Sequence, residues 1–83
     1  MLLYFEFEQR RTKAEVIWPK QEGETIEVHL TDTRLIKVFP PDLFFEVESS
    51  RKVSFLTEDP SNKRLSDLQK VIANRLQEFV NKS

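Results

Sequence analysis

Apolar and polar residues alternate from the first positions of the chain. Leu3, Phe5 and Phe7 interleave with Tyr4, Glu6 and Glu8, the period of two that marks a strand with one buried face. Residues 25–31 repeat the pattern most cleanly, with Ile26, Val28 and Leu30 on one side and Thr25, Glu27, His29 and Thr31 on the other. Shorter runs at 14–18, 34–39, 43–48 and 52–57 read as further strands. The polar links KQEGE, TDT and SSR between them have hairpin lengths, so neighbouring strands are predicted to pair antiparallel.

After Thr57 the period changes. The segment EDPSN offers Pro60 and a capping residue, Ser61 or Asn62, which is how a helix commonly starts. From about residue 62 to 81, Leu65, Leu68, Ile72, Ala73, Leu76, Phe79 and Val80 fall on an arc roughly 140° wide at about 100° per residue. Gln69 lies inside that arc and Val71 outside it. The pattern predicts an α+β fold in one domain, residues 1–83. An antiparallel meander of about six strands (about 2–57), twisted or partly barrel-like, carries one C-terminal amphipathic helix on a face.

The stretch VFPPDLFF sets two prolines among aromatic residues. Pro41 cannot donate to a ladder, Pro40 holds Phe39 extended, and Pro-Asp suits the centre of a type I turn. The segment is therefore predicted to close a hairpin at 40–43. Strand parity then has a consequence. If Leu43, Phe45 and Val47 face the helix, Phe44 faces away, and the same accounting leaves Tyr4, Ile17, Leu56 and either Leu35 or Phe39 on the second face. Tyr4, Ile17, Phe39, Phe44 and Leu56 are thus candidates for a partner face. Three arrangements compete: the sheet curls and buries both faces itself, the second face is a homodimer contact, or it receives another molecule.

Composition narrows the chemistry. A chain of 83 residues buries only about 60% of its unfolded surface, so the core is small. Hydrophobic residues are 39% and charged residues 33%, and no apolar run approaches the roughly 18 residues that span a bilayer. The start, MLLYFEFEQ, has no basic region ahead of its apolar residues, which argues against a cleaved secretory signal. There is no cysteine, which removes disulfides and thiolate chemistry and fits a reducing, cytoplasmic setting.

Catalytic groups are scarce. The single glycine, Gly23, is too few for a dinucleotide fingerprint or a phosphate-cradling loop. His29 is the only histidine; with Glu27 and Asp32 near in sequence it offers at most a weak metal site, and a solvated strand histidine is the simpler reading. Glu6 with Glu8, and Glu46 with Glu48, lie about 6 to 7 Å apart along a strand, but paired carboxylates need a cleft to act on a glycoside. No catalytic, cofactor-binding or metal-binding residue is predicted, and the protein is expected not to be an enzyme.

A second functional class rests on the first hairpin. Arg10, Arg11 and Lys13 lie beside strands that carry Tyr4, Phe5 and Trp18, and cations with aromatic faces are what single-stranded nucleic acid requires. The net charge of −1 and the scatter of the other basic residues weigh against it. Strands closed by a C-terminal helix look similar in order to pleckstrin-homology-type domains. The tryptophan those domains carry in the helix is here Trp18, in a strand, so no family is assigned. The leading expectation is a small non-catalytic interaction or regulatory protein that uses an apolar sheet face for self-association or partner binding. Single-stranded nucleic-acid binding through Arg10, Arg11, Lys13 and Trp18 is the alternative.

Overall fold

The computed structural model describes residues 1–20, 25–56 and 61–82. Five strands, β1 (Leu2–Phe7), β2 (Arg10–Ile17), β3 (Ile26–Leu30), β4 (Asp42–Val47) and β5 (Val53–Phe55), form one antiparallel meander in the order β1-β2-β3-β4-β5. A short helix α1 (Thr33–Ile36) joins β3 to β4, and α2 (Lys63–Lys82) follows the sheet. The α+β class, the meander and the C-terminal helix agree with the sequence pattern. The KQEGE link around Gly23, and Thr57 to Pro60 ahead of the helix, lie outside the described residues apart from Lys20.

One of the six predicted strands, 34–39, is not a strand. Over 34–39 the chain instead makes the turn of α1, because Asp32 caps it. The Asp32 carboxylate accepts the Arg34 N–H at 2.9 Å, and the Asp32 carbonyl accepts from Leu35 and Ile36, as a helix N-cap does. Leu35 and Phe39, spaced i and i+4, both reach the core, while Ile36 and Val38 stay exposed. Alternation over so short a run fits one helical turn as well as a strand. The prolines likewise close no hairpin. They stop the helix, and the Leu30 N–H donates to the Pro41 carbonyl at 2.7 Å where β4 begins.

One face of the sheet and one stripe of α2 make the core. Leu3, Phe5, Ala14, Val16, Ile26, Val28, Leu43 and Phe45 meet Leu68, Ile72, Leu76 and Val80, all buried. The helix lies against both edge strands, β1 and β5. The sheet therefore curls around it as a half-barrel, with α2 standing where a closing strand pair would be. Polar side chains of α2 satisfy the edges: Arg75 Nε donates to the Tyr4 carbonyl at 2.9 Å, and Gln77 Oε1 accepts the Val53 N–H at 2.8 Å. Unpaired edge groups invite strand addition, and these two positions are occupied. Asn62 caps the helix by accepting the Leu65 N–H at 3.1 Å. Glu78 pairs with Arg75 rather than with Lys82.

The β1–β2 hairpin turns at Glu8 and Gln9, with φ of 51° and 66°. Both central residues of a tight hairpin turn here need positive φ, a demand usually met by Asn-Gly. A side chain in that region costs roughly 1 to 2 kcal/mol, of which glycine gives back about 0.5 to 1 through its freer unfolded chain. Gln9→Gly is therefore expected to stabilise the domain by up to about 1 kcal/mol, read as a higher urea midpoint. A lower midpoint would mean that the turn is not held in this geometry. Arg64 pins the turn to α2 through two bonds to the Glu8 carboxylate, at 2.7 and 2.9 Å.

Candidate interaction face

Strand register arranges the side chains that point away from α2 into rows. Tyr4 stands opposite Lys13. Next comes the row Leu2, Glu15, His29 and Asp42, and beyond it Ile17, Glu27 and Phe44. Leu56, just past β5, extends this last row, since its N–H donates to the Phe44 carbonyl at 3.1 Å. Tyr4, Ile17, Phe44 and Leu56 are 44, 48, 38 and 45% exposed. Curling of the sheet does not bury this face. Four of the five predicted face residues are thus exposed on it, with Tyr4 two rows from the other three.

Phe39 is the exception and a correction. At 4% exposure it belongs to the core, edge-to-face with Phe7 at 5.9 Å, because α1 turns it inward. Parity reasoning treated the segment as a strand and so had no way to place it. Leu2, 46% exposed at the sheet edge, was not singled out, although the same alternation as Tyr4 puts it on this face.

Charge is unevenly spread on the outer face, with one carboxylate, Glu6, standing opposite Arg11 at its basic end. At one end Arg11 and Lys13 flank Tyr4, the Arg11 guanidinium 5.3 Å from the ring centre, within cation–π range. They border an open hollow of about 510 Å³ that Thr31, Asp32 and Thr33 also line. Toward the other end stand Glu15, Glu27, Asp42 and Glu46. Glu15 meets the Met1 ammonium at 3.0 Å, and Asp42 Oδ1 lies 2.5 Å from His29 Nδ1.

Several predicted groupings come apart in the fold. Trp18 lies five residues from Lys13, about 17 Å along β2. Its indole N–H donates to Met1 Sδ at 3.3 Å and its ring packs edge-to-face on Phe79. It closes one end of the core and shares no surface with Arg10, Arg11 and Lys13. Arg10 has the opposite parity to Arg11 and sits at the rim near Glu8, Arg34 and Arg64. His29 pairs with Asp42, whereas Asp32 is held by Arg34 and by the Thr12 hydroxyl at 3.1 Å. The Arg34 hydrogen bonds keep the Asp32 carboxyl well below the usual carboxylate range. Among the described residues no group of three or more histidine, aspartate and glutamate side chains is placed to hold a metal ion. Glu8 is drawn into the hairpin turn by Arg64, away from the strand face of Glu6.

Fold and face together define a two-layer α+β domain: a half-barrel meander wrapped around one helix, with the convex face open. No family model matches the chain, and neither a curated protein nor a solved structure matches it. Among the described residues no helix is long and apolar enough to cross a membrane.

Proposed function

We propose that the protein is a small non-catalytic interaction module, acting in the cytoplasm, whose outer sheet face is its contact surface. The observation that carries this is the row Ile17, Glu27, Phe44 and Leu56, three large exposed apolar side chains aligned across three strands and the residue after β5, around one carboxylate. A helix already covers the other face, so the fold has no use for this row in its own core. Large side chains clustered on an open surface are what contact sites are built from. The sheet edges are poorer candidates, because Arg75 and Gln77 already bond to them.

Phe44→Ser tests the proposal. Phe44 retains 38% of its exposure, so truncation is expected to cost about 1 kcal/mol of stability, while self-association or capture of a protein partner is lost. Thermal unfolding and sedimentation of the same variant separate the outcomes. A fall in midpoint of more than about 12 °C with no loss of association would overturn the reading.

One observation favours a second reading, in which the chain binds single-stranded nucleic acid. Arg11 and Lys13 flank the exposed Tyr4 ring over an open hollow, which suits a phosphate beside a stacked base. Trp18 takes no part in that site. Filter binding with single-stranded RNA and DNA at low salt decides it: no retention removes this reading.

A further inference from the structure

We infer that the outer face binds a second copy of the same chain, the two related by a two-fold axis lying close to the Leu2–Glu15–His29–Asp42 row. The inference rests on the outer face being the contact surface. It adds what the occupant is and how it sits.

The argument begins with symmetry. A two-fold contact is made by one surface on itself, so whatever lies on one side of the axis must complement what lies on the other. On this face the row next to the axis on one side carries Tyr4 and Lys13, with Arg11 behind. On the opposite side runs Ile17, Glu27 and Phe44. One side is an aromatic ring with two cations and, opposite Arg11, the carboxylate of Glu6; the other is two apolar side chains around an anion. Turning one copy over brings the first against the second, twice.

Arg11 and Lys13 have no carboxylate within ion-pair distance among the described residues, and Glu27, although it is half-buried between Ile17 and Phe44, has no cation there. A second copy supplies the missing counter-charge to both. Of the carboxylates in the row along the axis, Glu15 meets the Met1 ammonium and Asp42 is hydrogen-bonded to His29. The axis can therefore run there without setting bare carboxylates against each other.

Charge reversal tests this on the full chain. One variant carries Arg11→Glu with Lys13→Glu, the other Glu27→Lys, and circular dichroism checks that each is folded. Wild type is expected to show concentration-dependent dimers in sedimentation equilibrium up to about 1 mM, and each variant alone to weaken dimerisation at least tenfold. An equimolar mixture of the two is expected to restore it as a heterodimer, because both of its contacts again join opposite charges. A mixture that stays monomeric while Phe44→Ser dissociates the wild-type dimer would overturn the two-fold arrangement and leave the contact face standing. Dimers that survive Phe44→Ser would overturn the contact face itself. Wild type monomeric throughout would overturn the second copy as occupant, and single-stranded oligonucleotide retained by that monomer but lost with Arg11→Glu and Lys13→Glu would assign the basic end to nucleic acid instead.

Discussion

Removing residues 61–83 is expected to leave a chain that does not fold. The helix supplies Leu68, Ile72 and Leu76, all fully buried, and Val80, nearly so. At about 1.5 to 3 kcal/mol each, those four side chains alone are worth as much as the whole stability of a typical domain, about 5 to 15 kcal/mol. The loss also reaches the sheet. Without α2 the inner side chains of β1 and β5 lose the surface they pack on, and the edge groups at Tyr4 and Val53 lose Arg75 and Gln77. A curled sheet of this size has no second layer to fall back on. The amide proton spectrum of the truncated chain checks this. Dispersed strand resonances would show the sheet to be self-sufficient and the helix an appendage.

The elements with one dominant period were legible without the structure. Leu3, Phe5 and Phe7 in β1, and Ile26, Val28 and Leu30 in β3, repeat every second residue and are all buried. In α2, Leu68, Ile72, Leu76 and Val80 lie on the predicted arc, and Gln69, the polar residue inside it, is buried with them. The segment at 34–39 failed for a physical reason. Apolar residues at 35 and 39 satisfy a period of two and a spacing of four equally, and the deciding group, the Asp32 cap, lies outside the segment. Trp18 stands apart from the basic hairpin because nearness in sequence is not nearness in space. A strand extends by about 3.3 Å per residue, so five residues of β2 carry Trp18 to the far end of the core. Parity alone identified Tyr4, Ile17, Phe44 and Leu56 as facing outward. It did not say which of them stand together. That follows from register, which puts Ile17, Glu27 and Phe44 in one row and Tyr4 beside Lys13.

Register is also what the comparison of two adjacent phenylalanines measures. Phe45 is fully buried, between Ile26 on β3 and Phe55 on β5, whereas Phe44 beside it is 38% exposed. Phe45→Ala is expected to cost about 3 to 5 kcal/mol, the lost transfer energy plus a cavity that a small core cannot collapse. For a domain of this size that lowers the thermal midpoint by more than about 12 °C. Phe44→Ser, although it introduces a hydroxyl, is expected to cost about 1 kcal/mol, because the face it leaves is open to water. A slip of one residue in β4 exchanges the two side chains, so the larger loss would then fall on Phe44. Equal losses would mean that both faces are buried in the monomer, and the outer row would then be core rather than contact surface. Urea unfolding of the two variants at a concentration too low for association makes the comparison free of any dimer contribution. The difference between the two midpoints then reports on the sheet alone, and a gap of about 2 kcal/mol or more in favour of Phe45 shows that the outer face is open in the monomer.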